Sequence, residues 1–165
     1  MLANTLWLPL LFVLHDLEEL IFLPKWVKKN QARLAKQKRP LFGGVADSSL
    51  LAVGVLEELL ILLVIAVASH ANSEKLFYFA TVVAYTLHLV GHIGFCFQYR
   101  AYVPGIATAL IQLPVTLLWI VATYNHLNVH WAVLLAVSLG VFVLLVLNVL
   151  FLHWLLAAIA RKNLL

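Results

Sequence analysis

His15, Glu18 and Glu19 stand at positions i, i+3 and i+4 of the run His15-Asp16-Leu17-Glu18-Glu19. On a helix the two glutamates therefore flank the imidazole within about 60° on either side and share its face. His88 and His92 repeat the i, i+4 relation further along, with Cys96 one turn beyond. Imidazoles and carboxylates together form a nitrogen and oxygen donor set suited to Zn, Mn or Fe and poorly suited to Cu(I). A spare carboxylate, for which Glu19 is the first choice, would have acid or base chemistry open to it. Glu57 and Glu58 add two more acids, about 100° apart on a helix, so only one of them points at a given centre. Asp16 is likewise turned about 100° from His15 and reads as a neighbouring group or a lateral contact to another helix.

The segments that must position these residues are apolar. With 64% hydrophobic and 11% charged residues and a mean hydropathy of +1.02, a soluble domain of 165 residues would have an insoluble surface. The composition is that of an integral membrane protein in the cell membrane, crossing it several times. A spanning helix takes about 20 mostly apolar residues, and five such windows occur at residues 4–23, 46–69, 76–98, 105–124 and 131–159. None alternates like a barrel strand. The expected fold is all-α, one five-helix transmembrane domain over residues 1–165. A cleaved signal peptide is not expected, because residues 1–14 lack a basic start and run into charge instead of a small-residue cleavage site. The single cysteine, Cys96, excludes an intramolecular disulfide.

Charge orients the spans. Lys25, Lys28, Lys29, Arg33, Lys36, Lys38 and Arg39 crowd the connection at residues 24–45 without an acid until after it, which places that loop in the cytoplasm. Alternation then puts Arg100, Arg161 and Lys162 inside and the weakly charged connections at 69–75 and 125–130 outside, with the N-terminus out and the C-terminus in. Pro24 and Pro40 bracket the basic loop, Asp47 and Ser48 can cap the second helix, and Pro104 suits the first turn of the fourth. Pro9 and Pro114 fall inside spans and are candidate kinks. Ala132, Ala136 and Gly140 form a small-residue seam suited to close helix packing, and a homo-oligomer is one use of such a bundle. The basic loop also suits anionic lipid headgroups; nothing beyond that charge points to nucleic acid.

Depth ties the polar residues together. Counted from the outer side at about 1.5 Å per residue, His15, Glu18, Glu19, Glu57, Glu58, His88 and His92 fall between the middle and the inner part of their spans. Gln112 and Asn148 lie at a similar level and read as polar glue between helices, and His153 lies closer to the cytoplasm. One carboxylate at the centre of a membrane helix costs about 2.5–3.5 kcal/mol on insertion scales, so such groups normally hold a proton, a partner or a metal. Several ionised carboxylates at one depth would repel one another unless a divalent ion neutralised them.

The run at residues 15–19, the later His92 and the element Tyr102-Val103-Pro104-Gly105 together resemble the HXXEE-motif membrane proteins, over roughly the first four helices. The resemblance implies a multi-span membrane protein of uncharacterised function. Other metal motifs depart at named residues. His88-Leu89-Val90-Gly91-His92 has zincin spacing without the glutamate, and Glu19 stands where an inverted zincin has its second histidine. The Glu-x-x-His pairs of carboxylate-bridged di-metal bundles occur here once and in reversed order. Three functions fit the residues: a metal-dependent enzyme acting on a lipid-soluble substrate, a small transporter moving metal ions or protons past the same carboxylates, and a packing network of neutral acids. Tyr102-Val103-Pro104-Gly105 reads as an interfacial turn. The charge pattern predicts that a topology reporter fused after Leu165 is cytoplasmic and one inserted between Asn125 and His130 is external; both on one side would overturn the five-span count.

Overall fold

The computed structural model describes residues 5–38, 40–41, 47–71 and 75–162. Among them are five α-helices and no strand: α1 (Trp7–Leu34), α2 (Ser48–Ala71), α3 (Lys75–Tyr99), α4 (Ile106–Tyr124) and α5 (Trp131–Lys162). Helices α2 to α5 are each long and apolar enough to cross a membrane. Helix α1 is equally long but interrupts its apolar run with Asp16, Glu18 and Glu19.

Helix α1 is turned inside out relative to a soluble amphipathic helix. Leu10, Leu14, Leu17 and Ile21 follow one another at intervals of three or four residues and are exposed, whereas His15, Asp16 and Glu18 are buried. Water would favour the reverse; an apolar solvent favours this arrangement. The polar face is covered by α2 and α4, and α3 packs in turn against α4 and α5.

Two apolar layers enclose the polar one. Leu8 and Phe12 of α1 join Leu62, Ala66, Val82, Tyr85 and Ala109 on one side, and Leu23, Trp26 and Val27 join Leu51, Tyr99, Val103 and Leu156 on the other. His15, Glu18 and Glu19 lie between Phe12 and Leu23 in the α1 sequence, so they occupy the level between the layers.

Several local expectations change. Helix α1 does not end at Pro24 but continues to Leu34, because burial of Trp26, Val27 and Leu34 holds the turns beyond the lost amide donor. Lys25, Lys28, Lys29 and Arg33 are thus exposed on a helix rather than in a loop. Arg33 donates to the carbonyls of Tyr99 (3.0 Å) and Gln98 (2.9 Å) at the C-terminal end of α3, where a cation offsets the helix dipole. Trp26 is buried and donates its indole N–H to Tyr102 O at 2.8 Å. Arg39 and residues 72–74, at the ends of the two expected loops, lie outside the described residues.

Asp47 caps α2 as its position suggests, accepting from the amides of Ser49 (2.8 Å) and Leu50 (3.4 Å). Pro9 sits in the first turn of α1, where its missing N–H breaks no hydrogen bond. Pro104 precedes the N-cap of α4, which is Gly105. The Ala132, Ala136 and Gly140 stripe is exposed; α5 buries Leu134, Ser138 and Val141, larger residues at steps of four and three.

Candidate metal centre

Four side chains from two helices converge in the polar layer. His15 and Glu19 of α1 and His88 and His92 of α3 each offer one ligand atom, and these four atoms lie within 4.8 Å of one another. The three Nε2 atoms form a near-equilateral triangle: His15 to His88, His15 to His92 and His88 to His92 are each 3.2 Å. Glu19 Oε1 lies 3.1 Å from His92 Nε2 and 3.9 Å from His15 Nε2. A tetrahedral ion with metal–nitrogen bonds of about 2.0–2.1 Å spaces its ligands about 3.3–3.4 Å apart, so the triangle has the size of one face of such a polyhedron.

The remaining ring nitrogens decide where the protons sit. His92 Nδ1 is 3.0 Å from Pro104 O, a carbonyl that can only accept, so the ring carries its proton on Nδ1 and directs the Nε2 lone pair at the cluster. His15 Nδ1 is 2.8 Å from Thr108 Oγ1. That hydroxyl gives its one proton to Glu18 Oε2, at 2.6 Å, and so accepts from His15, whose Nε2 also presents a lone pair. Two lone pairs therefore face each other across 3.2 Å. A proton on His88 and another on Glu19 would relieve other contacts of the cluster but not this one. A cation bound to both nitrogens relieves it, and an outer partner on the second nitrogen is the usual way of aiming a histidine at a metal.

Glu18 has a different task. Its Oε1 accepts from the Tyr102 hydroxyl (2.8 Å) and the Ala107 amide (3.3 Å), and its Oε2 from the Thr108 amide (2.8 Å) and hydroxyl. These are amides of the first turn of α4, whose N-cap, Gly105, has no side chain to satisfy them. The carboxylate of α1 thus caps α4 and, through Thr108, orients His15. With four donors around it, Glu18 is not among the four converging groups.

Of the other sequence candidates, Glu57 accepts from Asn148 Nδ2 at 3.1 Å, between α2 and α5. Glu58 lines a cavity beside the cluster together with Asp16 and Glu19. Gln112 accepts from the Tyr85 hydroxyl (2.6 Å) and donates to Leu11 O (3.0 Å), binding three helices. Tyr85 in turn packs edge-on to His15 and stacks on His88.

Two features of the site escaped the sequence reading. Thr108 links Glu18 to His15; its place three residues after Gly105, in the first turn of a helix, was the available signal. Tyr102-Val103-Pro104-Gly105 is part of the centre rather than a peripheral turn. Tyr102 binds Glu18, Pro104 fixes the tautomer of His92, and Gly105 has φ +90° with its hydrogen against the His92 ring. A Cβ there would lie 2.5 Å from His92 Cε1 and 2.9 Å from Glu19 Oε1.

The molecule is thus an all-helical bundle with four apolar candidate spans and a His/Glu cluster at which a metal ion could bind. Residues 6–120, covering α1 to α4, match the family described as protein of unknown function with HXXEE motif, and the chain belongs to that family. No curated protein and no solved structure matches the chain.

Glu18 and Glu19 should respond oppositely to amidation. Glu18→Gln turns an N–H₂ toward a site built from donors and should destabilise the metal-free protein by about 1–3 kcal/mol. Glu19→Gln gives His92 Nε2 a donor and should leave the metal-free protein as stable or more so. Thermal unfolding of both variants in detergent checks this; equal losses would overturn the assignment. Gly105→Ala should be more disruptive than either, since the left-handed conformation alone costs about 1–2 kcal/mol.

Proposed function

We propose that this chain is a five-span membrane metalloenzyme acting on a lipid-soluble substrate at bilayer depth, with one divalent transition ion, Zn, Fe or Mn, held by His15, His88, His92 and Glu19. The observation that carries the reading is the His15 to His92 contact, two nitrogen lone pairs at 3.2 Å with both outer nitrogens already committed. An ion there supplies Lewis-acid chemistry, polarising a substrate oxygen or acidifying water.

The surroundings support the substrate class. An apolar cavity of about 410 Å³ has His88 and His92 in its wall together with Phe95, Phe142, Leu145 and Val149. Leu87 and Leu150, which are exposed on the outside of the bundle, also border it, so a molecule dissolved among lipid chains would meet this opening without crossing water. His88 is the exposed ligand of the four and marks the side from which substrate approaches. His15 and His92 are held rigidly and orient the centre. Glu19 brings to the set its Oε1, an oxygen free of hydrogen bonds.

In this reading α1 is the first of the five spans, its polar face turned inward, with the N-terminus outside and the C-terminus in the cytoplasm. Lys25, Lys28, Lys29, Lys36 and Lys38, all exposed, then lie at the cytoplasmic surface, where each basic residue contributes about 1 kcal/mol of attraction to anionic lipid.

Protein purified in detergent without chelators should carry stoichiometric transition metal, and His92→Ala should weaken its binding by tenfold or more. Incubated with a membrane lipid extract, the loaded protein should form a product, detected by mass spectrometry, that is absent with His92→Ala or after chelation. Metal-free protein, or metal moving across vesicles with no lipid conversion, would overturn the enzyme reading.

A further inference from the structure

A second cavity adjoins the histidine triangle. It measures about 70 Å³ and is bordered by Asp16, Glu19, Glu58, His88 and His153, set among apolar residues of α1, α2 and α5. A single water needs about 10–15 Å³ of such space, so there is room for an ion with water ligands. Three carboxylates around so small a volume repel one another strongly.

The second observation is Asp16 itself. It is 6% exposed, its side chain borders this cavity, and no hydrogen bond or ion pair joins it to any described residue. A buried carboxylate in that state is costly without a counter-charge. Glu19 faces both ways. Its Oε1 is sealed beside His92, yet the side chain keeps 15% exposure and also borders the cavity.

We propose that this cavity is a second cation site, with Asp16 and Glu58 as ligands and Glu19 as the carboxylate bridge, so that the chain holds a dinuclear centre. The proposal rests on the histidine site described under the proposed function and extends it. One divalent ion leaves one negative charge in excess over the three carboxylates at bilayer depth, which a second ion would offset. Oxygen ligands dominate the second position and nitrogen ligands the first. The pair is therefore chemically unequal, the second ion being the harder and more weakly held. Each ion position has a different neighbour: the apolar cavity borders His88 and His92, and the acidic one borders Asp16.

Metal counting separates the possibilities. Detergent-purified full-length protein is saturated in turn with Mn²⁺, Fe²⁺ and Zn²⁺, freed of excess metal by gel filtration, and counted by mass spectrometry. Two ions per chain are expected for at least one metal, with a spin-coupled electron paramagnetic resonance signal if that metal is Mn²⁺. Asp16→Asn and Glu58→Gln should each leave one ion, uncoupled, while Glu19→Gln should weaken both. The wild-type count decides even if a variant fails to fold. One ion per chain with all three metals would overturn the second site and leave the histidine site standing; none would overturn both. Two ions retained in both Asp16→Asn and Glu58→Gln would also overturn the assignment of these ligands.

Discussion

The geometry of the centre depends on one carboxylate placed at the start of another helix. Helix α4 begins at Gly105, which offers no side chain to its first amides. Leaving such groups unsatisfied would cost several kcal/mol in an apolar medium. Glu18 reaches across from α1 and accepts from Ala107 and Thr108, with its negative charge at the positive end of the helix dipole. The same contact locks α1 to α4 and spends the Thr108 hydroxyl proton. His15 can then only donate to Thr108. A cap on one helix thereby fixes the tautomer of a histidine on another.

The turn before α4 does the same for the opposite ligand. Pro104 supplies a carbonyl to His92, and Gly105 lets the chain pass so close to that ring that no side chain fits between them. Both constraints act through a few consecutive residues. The Tyr102 hydroxyl closes the arrangement on Glu18. The seven-residue stretch from Tyr102 to Thr108 thus orients side chains on α1 and α3, which explains why it belongs with the charged run: neither set of residues has its geometry without the other.

Sequence periodicity was sufficient for the helices, for the common level of the polar residues and for the shared face of His15 and Glu19. It could not separate Glu18 from Glu19. Both flank His15 within a small angle, and the choice depends on which neighbour lies on each side, α4 for Glu18 and α3 for Glu19. That is tertiary information. Pro24 misled for a related reason: proline signals an end only where packing does not hold the next turns, and Trp26 and Val27 are buried. The seam of Ala132, Ala136 and Gly140 is exposed on the chain, and α5 turns Leu134, Ser138 and Val141 inward. Thr108 signalled no more than a place in a first helical turn, because a hydroxyl in a membrane helix commonly bonds its own backbone; only the approach of Glu18 gives it another role.

The cluster is rigid on one side and adaptable on the other. His15 and His92 are each held through Nδ1 by a partner that is itself fixed. His88 is oriented by ring packing against Tyr85 and the other imidazoles and is exposed to the apolar cavity, while Glu19 Oε1 has no hydrogen bond. Ligand exchange at a metal centre requires some groups to stay and others to give way, and the division here follows the cavities. The fixed pair meets the α4 turn, and of it only His92 reaches a cavity, the apolar one; in the adaptable pair His88 borders both cavities and Glu19 the acidic one, from which a substrate or a second ion would come. Preorganisation on the first side would keep such a centre assembled while the second side changed its coordination.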